Sequence, residues 1–500
     1  MSPAGGEKRA AEVTGVVPVP SGSGTTSAAD SDAAPGIDPE AERRLVAKLD
    51  LIIYPAFFII YTMSFLDRIN IGNARIQGMV EDLDLHGGRF NIALFAYFVS
   101  YILLEVPSNM VIRRVRPSLY LSALMFGWGV VNMAMGLVRS YGALVALRLL
   151  LGVFEAGVLP GIIYVTSVYY RRHEYQKRMS FFFCSTVVAG AFGGLLAYAI
   201  ASRLGGAAGV AAWRWIFLVE GGATAVLALV AAFVVIDWPE QTRYLSPAEK
   251  ELLRRRLAAD GADGCRMDTL DRFALGLILS DYKIWLGAVA YMGIGVAGYA
   301  GVFFLPTILF EFRWAAEEAQ VRTVPVYAFA AGLMLLAAWA SDRLRHRFAF
   351  ILAGVSLATV GYAMLLAQDG RSRDFKFAAV FLVFGGAYTA IPMVLGWLQN
   401  NLSGHWKRAF GSSIQVTIGN LAGIVGSNIF LDHERPAYRT GYGVAAAMMW
   451  LGALAALAMC LLMRRENQKR AAGERDDRLR MPAERRRNMG DWHPSFRFTL

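Results

Sequence analysis

Between Leu51 and Met463 the polar residues fall in short clusters and the apolar ones in runs of about twenty, each long enough to cross ~30 Å of hydrocarbon as a helix. The pattern predicts twelve such helices, at 51–71, 91–112, 119–138, 142–169, 179–201, 213–236, 285–308, 321–341, 347–367, 375–398, 408–431 and 441–463. A membrane β-barrel would instead show alternating segments of roughly ten residues, and these are missing. Composition agrees: of 500 residues, 56% are hydrophobic and 18% charged, whereas a soluble chain carries about a quarter charged. The expected class is an all-α polytopic membrane protein.

The longest interruption divides the helices six and six. The expected organisation is a disordered tail at 1–45, a six-helix bundle at 46–236, a central loop at 237–284, a second six-helix bundle at 285–463 and a second solvated tail at 464–500. The first 40 residues lack the basic stretch and short apolar core of a cleaved signal. Two such bundles suggest duplicated units closing around a midplane cavity. Within the central loop, Ser246-Pro247-Ala248-Glu249 has the chemistry of a helix start. It predicts a short helix to about Ala259, stopped by Gly261 and Gly264.

Charge then orients the chain. Clusters such as Arg171, Arg172, Lys177 and Arg178 fall in loops on one side, which places both tails in the cytoplasm. The net charge of +11 is therefore a topology signal, with attraction to anionic lipid secondary and no nucleic acid implied. The three cysteines, Cys184, Cys265 and Cys460, form no plausible disulfide or metal set. The sequon Asn401-Leu402-Ser403 lies on the cytoplasmic side and should be silent. Pairs such as Gly157 and Gly161 suit close helix packing. "GIGVAG" at 293–298 matches a dinucleotide pattern but sits inside an apolar run, so it is not a cofactor loop. With no nucleophile elbow, Walker loop or His/Cys cluster, neither an enzyme nor an ATP-driven pump is expected, and no cofactor or metal.

Six ionisable residues interrupt the apolar runs: Asp67, Arg68, Glu105, Arg148, Glu155 and Glu220. Each would cost about 3 kcal/mol facing lipid, so they must face a cavity or one another. Asp67 and Arg68 are adjacent and diverge by about 100° around their helix. Arg148 and Glu155 lie two turns apart on one face, too distant for direct contact. A working arrangement has Asp67 and Glu155 take up protons, Arg68 meet an anion and Arg148 rest against an acid. The competing reading is a set of buried ion pairs that fix helix register, and it takes precedence for Glu105 and Glu220. The second half offers neutral polar residues instead, including Tyr388, Trp397, Gln415 and Asn420.

The stretches "FLDRINIGNARIQGM", "VPSNMVIRRVRPS", "RLLLGVFEAGVLPGIIY", "WRWIFLVEG" and "NNLSGHWKRAFGSS" together resemble the major facilitator superfamily. The resemblance is to its anion:cation symporter branch, within it to the fungal allantoate, nicotinate and pantothenate permeases, and it spans about 43–463. It implies a twelve-helix rocker-switch carrier. On that resemblance Asp67 and Glu155 couple protons, Arg68 binds substrate with Trp397 and Asn420 opposite, and Arg148 relays charge; Asn70, beside Arg68 in the same stretch, is a further expected substrate contact. Asp342 and Arg343 of "SDRLRHR" are the expected cytoplasmic gate; the matching loop "NMVIRRVR" carries no aspartate. The expected function is proton-coupled symport of a small organic anion, a vitamin-like or other carboxylate, across the plasma membrane by a monomer. Export of an anionic metabolite is the alternative, and a non-transporting nutrient receptor a third reading.

Overall fold

The computed structural model describes residues 38–112, 114–260, 272–344, 346–482, 485 and 489–500; Gly261, Gly264 and Cys265 lie outside them. Helix α1 (Pro39–Ala74) starts where the Asp38 side chain accepts the Glu40 amide and Pro39 pre-sets the first turn. It is followed by α2 (Arg89–Ile112), α3 (Pro117–Met135), α4 (Tyr141–Glu155), α5 (Val158–Tyr169), α6 (Arg172–Leu204) and α7 (Ala212–Val234). The fourth crossing is thus broken into α4 and α5, at the Ala156–Gly157 turn. The second half contains α10 (Tyr282–Glu311), α11 (Ala316–Leu344), α12 (Arg347–Leu366), α13 (Arg373–Asn400), α14 (His405–Asn428) and α15 (Arg439–Ala471). Between the halves run α8 (Pro247–Asp260) and α9 (Arg272–Leu279). Ser246 caps α8 reciprocally with Glu249, as the loop chemistry predicts.

Among the described residues ten spans are long and apolar enough to cross a membrane by themselves. The remaining two crossings are α2 and α14, of 24 residues each. They face each other across the two bundles, where Glu105 and Asn420 stand. Helices α6 and α11 make the other broad contact between bundles, and α1 meets α10. A Cβ on Gly72 would stand 2.6 Å from the Phe303 carbonyl oxygen, so α1 and α10 come this close only because that residue is glycine.

Ion pairs at the end that carries both tails hold each half to its own elements. Glu42 of α1 meets Arg256 of α8 and Arg171, each at 2.7 Å, and Asp50 of α1 meets Arg178 of α6 at 2.6 Å. The basic loop residues thus serve as partners for acids on α1.

The second tail is not solvated as its charge suggests. Residues 489–500 fold back under the second bundle, where Asp491 meets Lys283 and Lys407, both at 2.7 Å. Asp281 faces the same two ammoniums at 2.7 and 2.5 Å, closing a buried quartet. Burial opposes the Asp281 charge, but the two lysines hold its carboxyl below the ordinary range. Phe498 packs between Lys283 and Arg470, and Asn401 binds the Thr499 amide at 2.8 Å. The aromatic residues of "DWHPSFRFTL" therefore turn a charged tail into a docked one. Replacing Asp491 by asparagine leaves two buried ammoniums on one carboxylate. The expected cost is about 3 kcal/mol, read as a lower melting temperature of the purified protein; an unchanged value would make the tail an idle appendage.

Candidate functional site

The adjacency of Asp67 and Arg68 is resolved by the two faces of α1. Tyr61, Phe65 and Arg68, at helical spacing, face the space between the bundles, whereas Asp67 and Asn70 face back into the first bundle. Tyr61 and Phe65 line a cavity of about 610 Å³, its mouth included, together with Tyr291, Tyr299, Tyr388 and Pro392. Arg68 lies one turn beyond Phe65, its guanidinium 5.1 Å from the Tyr97 ring and 5.3 Å from the Tyr101 ring.

Glu155 of α4 neutralises that guanidinium, with Nη2 and Nε of Arg68 at 2.8 and 3.1 Å from Oε2. The same oxygen accepts the Tyr97 hydroxyl at 2.8 Å and the Ser64 hydroxyl at 3.1 Å. The other oxygen, Oε1, is buried with no hydrogen-bond partner. Sequence explains the placement. Glu155 is the last residue of α4, and Gly152 one turn earlier lets α4 lie against the α2 backbone at Tyr97. Four donors thus converge on one oxygen and leave the second without one.

Arg148 is fully buried but does not rest against an acid. Its Nε donates to the Ala93 carbonyl at 3.3 Å, its guanidinium lies 5.2 Å from the Tyr97 ring, and Nη1 and Nη2 have no partner. It reaches Glu155 only through Tyr97, whose ring it faces and whose hydroxyl binds the carboxylate. Across the cavity, Tyr299 donates to Oδ1 of Asn420 at 2.8 Å, and Nδ2 of Asn420 donates to Glu105 at 3.4 Å. Asn420 therefore joins the cavity wall to the α2–α14 contact.

The other expected residues lie elsewhere. Asp67 is buried between α1, α3 and α7, where it accepts from Trp128 Nε1 (3.1 Å), Asn132 Nδ2 (2.7 Å) and the Thr224 hydroxyl (2.7 Å). Asn70 shares that interior, facing away from the cavity. Trp397 is spent on the docked tail, donating to the Thr499 carbonyl at 2.9 Å. Asp342 and Arg343 are exposed; Asp342 meets Arg347 of its own half at 3.3 Å and Arg343 lies over Trp339. Neither bridges the bundles here.

Contacts that do bridge them cluster at the end opposite the tails. Arg75 meets Asp432 at 2.6 Å while packed over Phe90 and Phe304. Asn91 donates to the Phe430 carbonyl at 3.2 Å, and Gln77 to Gln320 at 3.2 Å. Arg75 lies seven residues after Arg68 on the same face of α1, a spacing that could have marked it. Breaking this seal by Arg75→Ala should speed labelling of Val302→Cys by a membrane-impermeant maleimide from the far side, with Cys184, Cys265 and Cys460 replaced by serine. Unchanged labelling would mean that Arg75 does not hold that end shut.

The sequence model of the Major Facilitator Superfamily matches residues 57–427. An uncharacterized transporter of Schizosaccharomyces pombe is 33% identical over 473 residues, 93% of this chain and 91% of its own length. The high-affinity nicotinic acid transporter of Saccharomyces cerevisiae is 28% identical over 476 residues, 94% of this chain and 87% of its own. Among solved structures, a D-xylose-proton symporter superposes with a TM-score of 0.62 at 17% identity, over 81% of this chain and 97% of that one.

Proposed function

We propose, from the premise that the chain belongs to the major facilitator superfamily, that this transporter is a proton-coupled symporter of a small organic anion. The observation that carries this reading is the Arg68–Glu155 pair beside an aromatic cavity, with every donor on Oε2 and Oε1 open. A guanidinium binds a carboxylate through charge-assisted hydrogen bonds, and Arg68 already spends its own on Glu155. A substrate carboxylate must therefore displace Glu155, which leaves a buried carboxylate without its counter-charge. A proton on Oε1 removes that penalty. Proton and anion then bind together, and neither binds well alone.

Arg68 is the anion site in this scheme and Glu155 the coupling residue. Arg148 holds Tyr97, and through it Glu155, in place. Tyr299 and Asn420 contribute the opposite wall. The aromatic lining suits a flat or apolar body behind the carboxylate, and a relative bears the name of a nicotinic acid transporter. The reading places the chain in the plasma membrane with both tails in the cytoplasm, the cavity closed outside by Arg75 and Asp432. One proton moving with one monoanion is electroneutral, so the pH gradient alone drives it, at about tenfold accumulation per unit.

The test is uptake of labelled nicotinate, pantothenate, allantoate and a sugar acid into expressing cells, at acidic and neutral external pH, with and without a protonophore. One of the acids should enter faster from acid medium and stop with the protonophore. Arg68→Ala should abolish its uptake, and Glu155→Gln should lower the acid-to-neutral ratio about tenfold. Absence of uptake with faster loss of preloaded acid would reverse the direction of the reading; full activity of Arg68→Ala would refute the site.

A further inference from the structure

Behind the cavity, among the described residues, α1 and α7 bury one carboxylate each that meets no cation. Asp67 and Glu220 are 0% and 1% exposed. Asp67 lies on α1 and Glu220 on α7, which run antiparallel across the membrane. The two helices form a ladder of two rungs. In one, Thr224 of α7 donates to Asp67 at 2.7 Å. One turn nearer the sealed end, Asn70 on α1 follows Asp67 by three residues and Glu220 on α7 precedes Thr224 by four, so the second rung sets Asn70 beside Glu220. Both oxygens of Glu220 and both polar atoms of Asn70 are buried with no hydrogen-bond partner.

The donor chemistry of the two rungs differs. The indole N–H of Trp128 and the amide N–H of Asn132 can only donate, and with Thr224 they supply Asp67 with three donors. That arrangement suits an ionised carboxylate. Glu220 has only the Asn70 amide beside it and lies near the negative charge of Asp67. Two like charges sharing one dry interior cannot both be ionised cheaply. A carboxylic acid opposite a primary amide, by contrast, is self-complementary: the acid hydroxyl donates to the amide oxygen, and the amide N–H donates to the acid carbonyl. A proton on Glu220 closes the open rung; its loss leaves Oδ1 of Asn70 without a donor and places two anions side by side.

We propose that Glu220 is a proton-bearing residue of the coupling machinery, paired as a neutral acid with Asn70, and that Asp67 beside it stays ionised. This rests on the proton-symport reading above and moves the proton expected on Asp67 to its neighbour. The charged groups on the elements packed around Glu220 are otherwise engaged. Arg68 turns to the opposite face of α1 and pairs with Glu155, and Arg75 pairs with Asp432. Arg214, on its own helix, donates to the Gly136 and Val138 carbonyls at the helix start and lies near Asp82. Helix α3 contributes Tyr120, which is bonded to Ser108, and α6 contributes Arg203 at its far end. Deprotonation of Glu220 would push the back face of α1 away from α7. Because Asp67 and Arg68 are consecutive, the same helix would carry Arg68 relative to Glu155. Glu220 thus acts as a positioning residue for the anion site.

Infrared spectroscopy of the purified protein tests this without a substrate. At neutral pH the wild type should show the carbonyl stretch of a protonated carboxylic acid that shifts on ¹³C-glutamate labelling and not on ¹³C-aspartate labelling. That band should vanish in Glu220→Gln and move in Asn70→Ala, which keeps the acid and removes its amide. In cells, Glu220→Gln should lower the acid-to-neutral ratio of nicotinate uptake from as much as about tenfold per pH unit without abolishing it, because Glu155 still takes its proton. An identical band in wild type and Glu220→Gln, or a band that follows the aspartate label, would overturn the proposal. A wild-type uptake indifferent to pH would instead overturn the symport reading, with the Glu220 band still deciding the protonation.

Discussion

A guanidinium buried between two bundles needs a counter-charge, and the rest of the site is arranged around supplying one that can be withdrawn. Glu155 provides it for Arg68, from the end of a broken helix, while Tyr97 and Ser64 hold the same carboxylate oxygen. Leaving either charge alone in that interior would cost several kcal/mol. In the proposed symport, whichever group displaces Glu155 is an anion and Glu155 takes a proton as it leaves, so coupling would follow from this exclusion and need no long-range signal.

The bundles around the pair differ in how they meet. At the end opposite the tails, Arg75 and Asp432, Asn91 and Phe430, and Gln77 and Gln320 close the seam with polar contacts. Such contacts exchange readily for water. Beside the cavity the link is Glu105, Asn420 and Tyr299, which ties α2 to α14 and α10. At the tail end each half is instead bound to itself, the first through Glu42, Asp50 and their arginines, the second through the Asp281, Lys283, Lys407 and Asp491 quartet. That division suits two bodies that keep their internal packing while the contact between them changes.

Much of the architecture was legible because lipid imposes a simple rule. A run of about twenty apolar residues reads as a crossing, and the central polar loop divides the crossings evenly. The pairing of Arg68 with Glu155 was within reach of the sequence only as two charges that had to avoid lipid. Their contact depends on the close approach of α4 to α2 at Gly152, which changes no hydropathy. Side-chain facing was the harder matter. Asn70 was expected at the substrate but shares the back face of α1 with Asp67, and Trp397 serves the docked tail. That tail looked solvated because its many charges outweigh its few aromatics in any average; Asp491 and Phe498 carry the docking individually. Glu220 looked like an end-of-helix residue by position, and only the empty rung opposite Asn70 marks it out.

The central claim is that proton and anion meet at one ion pair, and the most direct measurement is proton uptake on binding. Purified protein in weakly buffered solution would be titrated with the transported carboxylate while pH and heat are recorded. About one proton should be taken up per anion bound, and none in Glu155→Gln, which should bind the anion without changing the pH. Anion binding by the wild type with no proton uptake, or uptake that persists in Glu155→Gln, would contradict it.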